Sequence, residues 1–439
     1  MSDDLVKLRP TGLAHGGWCV ARYEGRVVFV RHTLPGETVL ARVTERRSRL
    51  WRAEAVRILE PSPDRVPHVW PPAGPGGVGG ADLGHVALAA SRRWKAAVVQ
   101  DTLRRIGHLD REVTVRALPG EDERDGLAWR TRVTLAVDDG GYPGMHPPRS
   151  GRVIRLSGMP LAVPEIDGHE VFGSRHAGAS RLMVAAGSDG TTAVLTDGRG
   201  PDATRALVHH VTVPVPHGLP LGGSGRRPGT GHANQSDHGP GGGQPGHREG
   251  RLEIDYRTMP GTFWQVHREA PGALAGAVLA AGADLLAEGR AIIWDLYCGA
   301  GLLTVPLALT AGERASVWAV EADPHAGRAA RRAGRDVPTA HVRVGDVESV
   351  APRLPAPDLV VLDPPRRGAG RDVCAGIVHS RPRAVVYVAC DPAALARDAA
   401  TLRDGGYRLD DVVGLDMFPR THHVECVARF TRDQHRDKE

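Results

Sequence analysis

The sequence predicts an α/β protein whose C-terminal half is a Rossmann-like, doubly wound domain, preceded by a central α+β segment and an N-terminal β-barrel. Three observations support this architecture. From about residue 251 onward, short apolar runs alternate with helical stretches. Residues 1–60 consist of short β-like runs separated by turn residues. A Pro- and Gly-rich stretch, PPAGPGGVGGADLG, separates that region from the first predicted helix. With 439 residues, the chain is long enough for two or three domains.

The N-terminal residues 1–60 predict a small barrel of the oligonucleotide-binding type, because their strands are short and closely spaced. The β-like runs cover 18–22, 27–30, 39–43 and 53–58. This region also has more Lys and Arg than Asp and Glu, and its arginines cluster at Arg42, Arg46, Arg47 and Arg49. A basic cluster is either a solvated face or a phosphate-contacting patch, and we take it as a candidate RNA-binding surface.

Residues 61–215 predict a central α+β segment. A helix is expected to open at Ser91, in the stretch SRRWKAAVVQDTLRRIGHL, followed by β-like runs near 113–117 and 129–137. Residues 216–250 are rich in Gly, Pro and His and have almost no apolar anchors, which indicates a flexible insertion. Its histidines permit a metal-binding interpretation, but the ligand spacing of a metal site is missing.

Cysteine usage and hydropathy limit the class of protein. The five cysteines are scattered and form no CxxC pair, which argues against a disulfide framework and against a cysteine-based zinc site. No run approaches the roughly 18 apolar residues of a membrane span, and the first residues do not resemble a secretory signal. We therefore expect a cytoplasmic protein without membrane partners or a bound metal.

Residues 251–439 predict a parallel sheet with ligand-binding residues at the carboxyl ends of its strands. The expected strands are 291–296, 316–320, 341–344, 358–362, 384–388 and 424–430. The first ends in Asp295, followed by a turn with Gly299 and Gly301 that would let a ligand approach the backbone. The second and third strands end near Glu321 and Asp346, which suit ribose hydroxyls and an adenine amino group. Together they indicate an adenosine ligand without phosphates, and S-adenosylmethionine fits that description.

Two later strands end in residues suited to chemistry on a substrate. The fourth strand leads into Asp363, two prolines and Arg366, and the fifth leads directly into Cys390. A thiol at the carboxyl end of a central strand is a candidate nucleophile. Glu425 begins the last predicted strand among apolar neighbours, so burial could raise its pKa toward that of a working base.

These motifs resemble those of the RNA uracil-5 methyltransferases, which modify tRNA and rRNA. The similar segments are DLYCGAG, DPPRRG, VYVACDP and FPRTHHVE, with GTFWQVH before the catalytic domain and a TRAM-like N-terminal barrel. The resemblance implies a class I S-adenosylmethionine-dependent fold and a structured RNA substrate, and we expect a monomer. It makes Cys390 the nucleophile and Glu425 the base. It also implies that the cofactor is lined by Gln265, Tyr297, Glu321 and Asp346. Asp363 would lie where the cofactor and the target uridine meet.

The chain departs from the family pattern at two places. Many relatives hold an iron–sulfur cluster with four cysteines of the central domain, whereas no cysteine lies between Cys19 and Cys298 here. We therefore expect no such cluster. Asp391 and His267 also stand where relatives more often have Asn.

Two alternative functions stay open. An RNA cytosine-5 methyltransferase would carry a second cysteine after the fourth-strand prolines, where this chain has Arg366. A catalytically silent RNA-binding protein would need neither Cys390 nor Glu425.

Overall fold

The computed structural model describes residues 5–219 and 250–433. The predicted insertion at 216–250 therefore lies almost wholly outside the described residues. Within the described part of the chain, no helix combines the length and the apolarity needed to cross a membrane.

The N-terminal region is a six-stranded sheet that closes on a small apolar core. Its strands are β1 (Leu5–Leu8), β2 (Gly12–Ala14), β3 (Trp18–Tyr23), β4 (Arg26–Arg31), β5 (Thr38–Arg46) and β6 (Leu50–Glu60). They pair in the order β1-β5-β6-β4-β3-β2. Alternating side chains, including Val28, Val30 and Ala53, point inward and are fully buried, as the period of two along a strand requires.

The central region has a helix and a five-stranded sheet. Helix α1 is Leu88–Thr102, and the sheet contains β8 (Arg132–Val137), β9 (Pro143–Met145), β10 (Ile154–Arg155), β11 (Arg181–Ala186) and β12 (Thr192–Thr196). Short helix α2 is Pro164–Asp167. Helix α1 begins three residues before the predicted Ser91, and it ends before a π-helical turn at Leu103–Gly107. The run expected over 129–137 becomes a strand only from Arg132.

Two pairings cross the domain boundaries that the sequence suggests. Strand β7 (Thr114–Arg116), from the expected central segment, pairs at the edge of the C-terminal sheet. Strands β13 (Leu207–Pro214) and β14 (Arg251–Thr258) form a two-stranded antiparallel sheet, although the expected boundaries place them in different domains. Backbone pairing thus joins the central and C-terminal regions more closely than the composition indicates.

The C-terminal region is an eight-stranded sheet with helices on both faces. Its own strands are β15 (Ile292–Leu296), β16 (Ser316–Glu321), β17 (Ala340–Val344), β18 (Leu359–Leu362), β19 (Ala384–Ala389), β20 (Tyr407–Leu415) and β21 (Glu425–Arg432). The helices are α3 (Ala270–Ala281), α4 (Ala283–Ala287), α5 (Thr304–Thr310), α6 (Pro324–Ala333), α7 (Val347–Val350), α8 (Arg371–Ser380) and α9 (Pro392–Asp404). Two large apolar clusters cover the two faces of the sheet.

The expected sheet was parallel throughout, and this prediction is wrong at β21. The order is β17-β16-β15-β18-β19-β21-β20-β7, and β21 runs antiparallel to both of its neighbours. Strand β20 was not among the strands predicted from the sequence. Because β21 is reversed, its first residue lies at the sheet edge where the parallel strands end. That edge is where ligands bind in sheets of this kind.

Candidate active site

Cys390 and Glu425 meet at the carboxyl edge of the sheet. Cys390 follows directly after β19, and Glu425 is the first residue of β21. The antiparallel register pairs Ala389 with Cys426, so the next pair outward is Cys390 and Glu425. Cys390 is half-buried, whereas the other four cysteines are buried. Among the cysteines, Cys390 is therefore the one that a bound substrate could reach.

Burial and neighbouring negative charges favour the protonated forms of Cys390 and Glu425. The pKa of Cys390 is raised to about 12, first by burial and then by the negative charges of Glu425 and Asp363. Burial raises the pKa of Glu425 well above its ordinary value, with a further contribution from Asp363. The Arg366 guanidinium opposes both shifts. Without a further positive charge, the thiol and the Glu425 carboxyl both hold their protons at neutral pH.

Asp363 forms the third part of this cluster. It follows β18, and its backbone N–H donates to the Leu296 carbonyl at 3.2 Å. Burial raises the pKa of Asp363 to about 7. Two adjacent strand ends thus supply a thiol and a carboxyl group, and the reversed strand supplies a second carboxyl beside them.

The loop after β15 has the backbone geometry of a ligand-binding turn. Gly299 and Gly301 have φ of 55° and 88°, and Tyr297 also has a positive φ, of 63°. A Cβ on Gly301 would lie 3.1 Å from the Cα of Ala330 in α6, so the loop packs tightly against that helix. The close approach is the reason that this position requires glycine.

Glu321 is oriented by the same loop. One carboxylate oxygen accepts the Gly299 N–H at 2.8 Å, and the other accepts the Asp323 N–H at 2.7 Å. Asp346 is exposed at the start of α7, after the next strand. Both carboxylates therefore stand at the edge of the sheet where the sequence places a ribose and an adenine.

Asp295 occupies a different environment from the other predicted cofactor residues. Its side chain is fully buried, and Oδ2 accepts a hydrogen bond of 2.5 Å from the Thr304 hydroxyl. Oδ1 has no partner in the described part of the chain. Burial raises the pKa of Asp295 to about 7. In this arrangement Asp295 lies beneath the glycine loop and does not open onto the surface of the cleft.

The segment before α3 combines buried and exposed aromatic groups. Gln265 is mostly buried, whereas Phe263 is 64% exposed. His267 is fully buried, stacks on Trp129 with a centroid distance of 5.6 Å, and accepts the Glu269 N–H at 3.0 Å. His267 thus has a packing role here. Phe263 was not among the predicted site residues, and its place two residues before Gln265 in the GTFWQVH segment is the sequence signal that could have indicated it.

Asp391 connects the site to the N-terminal barrel. Its Oδ1 accepts the Ala394 N–H at 2.7 Å and caps α9, and its Oδ2 lies 3.6 Å from His15 Nε2. His15 follows β2, so a barrel loop reaches the residue next to Cys390. A small cleft beside it is lined by Gly17, Trp94 and Val424. No sequence signal indicates this contact, because His15 lies in an ordinary glycine turn.

Comparisons with known proteins identify the family. A family model described as tRNA (Uracil-5-)-methyltransferase matches residues 356–432, and a TRAM domain model matches residues 8–56. The 23S rRNA (uracil(1939)-C(5))-methyltransferase RlmD of Alkalilimnicola ehrlichii is 32% identical, over 96% of this chain and 96% of its own length. The chain belongs to the RNA uracil-5 methyltransferase family.

Other relatives extend this similarity over the whole enzyme. An uncharacterized RNA methyltransferase of Bifidobacterium longum is 38% identical, over 97% of this chain and 97% of its own length. The crystal structure of Pyrococcus abyssi tRNA (uracil-54, C5)-methyltransferase in complex with S-adenosyl-L-homocysteine has a TM-score of 0.65. It covers 97% of this chain and 100% of that chain at 22% identity, so it supports the fold alone. The predicted fold class, with its N-terminal TRAM barrel, is confirmed.

In this methyltransferase the loop before Glu425 is fixed from two sides. Arg420 is almost completely buried, and it donates to the Val86 carbonyl at 2.8 Å and to the Asp125 carbonyl at 3.0 Å. His422 Nδ1 lies 2.5 Å from the Asp82 carboxylate. Central-region residues therefore hold the segment that places the enzyme's candidate base.

The four arginines of the candidate RNA-binding surface lie on β5 and the turn after it, and all four are exposed. Two of them have intramolecular contacts. Arg47 donates to Glu45 at 2.6 Å, and the Arg46 guanidinium lies 4.6 Å from the centre of the Trp51 ring. The enzyme thus presents a basic edge that is partly neutralised by Glu45.

Proposed function

We propose that this enzyme transfers a methyl group from S-adenosylmethionine to carbon 5 of a uridine in a structured RNA, either tRNA or rRNA. Cys390 would be the nucleophile and Glu425 the base. The observation that carries the proposal is the register of β19 and β21, whose last pair, Ala389 and Cys426, leaves Cys390 and Glu425 as the next residues outward at the carboxyl edge of the sheet. The matching family model agrees with this chemistry, and so does the name of the Alkalilimnicola ehrlichii relative, which specifies carbon 5 of a uracil.

The residues around the glycine loop fit an adenosine-containing cofactor. Glu321 is oriented by two backbone N–H groups, and Asp346 is exposed to receive a polar group. Tyr297, Gln265 and Asp363 would complete the binding site. S-adenosylmethionine supplies an electrophilic methyl group on a positively charged sulfur. All three ionisable groups of the site, Cys390, Asp363 and Glu425, ionise more readily beside a positive charge.

Covalent catalysis answers a specific chemical difficulty. Carbon 5 of uracil is a weak nucleophile, and addition of a thiolate at carbon 6 turns it into an enolate carbon. The Cys390 thiol must first lose its proton, and Asp363 is the carboxylate whose pKa of about 7 lets it accept one at neutral pH. The bond between the Cys390 sulfur and carbon 6 then forms, and carbon 5 would take the methyl group as the sulfur–methyl bond of the cofactor breaks and leaves a neutral thioether.

Glu425 would complete the reaction. After methylation, carbon 5 still carries its original hydrogen, which must leave as a proton before the ring regains its double bond. The Glu425 carboxylate, which the cofactor's positive charge would keep ionised until the methyl group has moved, takes that proton. The sulfur–carbon 6 bond breaks, and the electron pair of that bond returns to Cys390. Burial favours proton uptake by Glu425, because it raises the carboxyl pKa.

The target uridine must leave its base stack to reach Cys390. Unstacking costs about a few kcal/mol, which contacts elsewhere on the RNA have to offset. The exposed ring of Phe263 offers a stacking surface next to Gln265, and the arginines of β5 offer phosphate contacts.

The decisive experiment uses tRNA and 23S rRNA transcripts made with 5-fluorouridine. With S-adenosylmethionine, the wild-type enzyme should form an adduct that survives denaturation, because fluorine cannot leave as a proton. Cys390→Ala should form none while still binding the cofactor, and Cys374→Ala, which changes a buried cysteine of α8, should behave as wild type. An adduct with Cys390→Ala would refute the nucleophile.

Product analysis tests the base that is modified. Mass spectrometry of nucleosides from unfluorinated RNA should show 5-methyluridine. Detection of 5-methylcytidine in its place would refute the uridine assignment. Comparing the RNA of cells with and without the gene would then locate the modified position.

A further inference from the structure

Three histidines from separate parts of the chain meet between the barrel and the central region. His32 follows β4, and His68 and His85 lie on either side of the Pro- and Gly-rich stretch. One ring nitrogen of each lies within 4.8 Å of one ring nitrogen of both others. The ring centroids are 5.8 to 6.4 Å apart. The sequence predicted no metal site, and no motif connects these three residues.

Each ring has a buried nitrogen without a hydrogen-bond partner in the described part of the chain. These atoms are His32 Nδ1, His68 Nε2 and His85 Nδ1. His85 is 2% exposed, and its Nε2 lies 3.5 Å from the Thr33 carbonyl oxygen, which can only accept a hydrogen bond. The His85 Nδ1 therefore carries a free lone pair in a buried site. Buried polar atoms normally have partners, and three exceptions in one cluster indicate a ligand-binding site.

Burial, helped by nearby cations, favours the neutral form of all three imidazoles. Burial lowers the pKa of all three rings, that of His32 to about 4, and the Arg65 cation contributes to each shift. Arg65 itself is neutralised by Glu37, with bonds of 2.6 and 2.8 Å. Arg31 also faces His32, and Arg420 faces His68, while Asp82 supplies a negative charge beside His32. Neutral imidazole is the form that binds metal ions.

We propose that His32, His68 and His85 bind one Zn²⁺ ion, with the fourth position open to water. Three neutral imidazoles suit zinc, at a metal–nitrogen distance of about 2.0 to 2.1 Å. Tetrahedral ligation would place the nitrogens about 3.3 Å apart, so the rings have to close slightly around the ion. The absence of a side chain at Gly84 makes room, since a Cβ there would lie 2.6 Å from Cε1 of His68.

Ligation also fixes the proton of His68. Coordination through Nε2 places the ring proton on Nδ1, where it could donate to a backbone carbonyl; the Ala81 backbone lies close enough to raise the pKa of His68. That hydrogen bond replaces the present contact of 3.2 Å in which the Trp70 N–H donates to Nδ1. Second hydrogen bonds of this kind commonly orient histidine ligands.

The position of the site gives the ion a structural role. The stretch between His68 and His85 contacts the loop before Glu425, because the Leu83 N–H donates to the Arg420 carbonyl at 3.0 Å and Asp82 contacts His422. His422 in turn packs against His15 of the barrel. A metal ion would therefore hold the barrel, the connecting stretch and the segment leading to Glu425 in one arrangement. This role of the ion does not depend on the proposed reaction.

The test measures metal content in untagged full-length protein purified from zinc-supplemented medium. Elemental analysis should give about one zinc per chain. Substitution with Co²⁺ should give the visible absorption spectrum of a four-coordinate site. His68→Gln/His85→Gln should lose the metal, and His379→Gln, which changes an exposed histidine, should keep it. Chelation should lower the melting temperature of the wild type and leave that of the double variant unchanged.

Two results would overturn the site. One is wild-type protein that holds no zinc and gives no cobalt spectrum. The other is zinc retained by His68→Gln/His85→Gln but lost from His232→Gln/His238→Gln/His247→Gln, whose histidines lie outside the described residues. If the double variant fails to fold, X-ray absorption on the zinc-loaded wild type decides, since it should count three imidazole ligands.

Discussion

The alkylation rate of Cys390 in the free enzyme should show how strongly its surroundings suppress the thiolate. Its pKa is about 12, compared with an ordinary value of 9.0. A difference of about three units makes the thiolate about 1000-fold rarer at pH values below 9. A more basic thiolate is also a better nucleophile, by about 20-fold for this difference with a Brønsted slope near 0.45. The net expectation is alkylation about 50-fold slower than that of an ordinary thiol.

The assay is iodoacetamide labelling between pH 6 and 10, followed by mass spectrometry of the Cys390 peptide. The rate should keep rising up to pH 10, without the plateau near pH 9 of an ordinary thiol. The rise should be less than tenfold per unit near pH 7, because Asp363 ionises there and its charge opposes the thiolate. Arg366→Ala removes the cation that opposes the shift and should slow labelling further. Arg367→Ala is the matched control, because it changes a neighbouring exposed arginine.

The cofactor provides the opposite perturbation. S-adenosylmethionine should accelerate labelling relative to S-adenosylhomocysteine, because only the former brings a positive charge to the cluster. Labelling of the free enzyme that levels off at or below about pH 8.5 would refute the reasoning, since Cys390 would then be an ordinary or activated thiol. Equal rates with the two cofactors would refute the electrostatic coupling.

Four further predictions concern other parts of the molecule. Glu425→Gln should accumulate a methylated covalent adduct on ordinary RNA, seen as cofactor-derived label on a denaturing gel; adduct in Asp363→Asn and not in Glu425→Gln would move the base to Asp363. Lys95→Met should destabilise the protein by about 3 kcal/mol in chemical denaturation, because it leaves the fully buried Asp416 charge with only the longer contact to Arg92, of 3.3 Å; Lys95→Met/Asp416→Asn should recover part of that loss. Arg46→Ala/Arg47→Ala/Arg49→Ala should weaken RNA binding, and the slope of log K against log salt should fall by about 0.7 to 0.9 per lost phosphate contact; an unchanged slope would mean a solvated face. Purified protein should contain no iron–sulfur cluster, and stoichiometric iron with broad visible absorbance would contradict this.

The sequence was sufficient to predict the fold class, because the alternation of apolar runs and helical stretches is strong after residue 251. It was also sufficient to propose Cys390, since that residue directly follows a fully apolar strand. Apolar patterning cannot report strand direction, however, which explains the error at β21. For the same reason the pairing of Cys390 with Glu425 was a product of the motif resemblance and not of the pattern.

Other features depend on contacts between distant residues. Strand β7 has three residues, too few for a periodic signal, and its place at the sheet edge comes from pairing with β20. The burial of Asp295 depends on how the glycine loop and Thr304 close over it. The histidine cluster unites three positions with no common motif.

The reversed direction of β21 also restricts when a competent site can exist during folding. Strand β21 comes after β19 and β20 in the chain, yet it lies between them in the sheet. The two earlier strands must therefore leave a gap and keep their facing edges unpaired until β21 enters. Open apolar edges of this kind favour association with other chains. The nucleophile meets its candidate base only when the gap closes, so a chain arrested before that step could bind the cofactor yet should be unable to complete a methylation cycle.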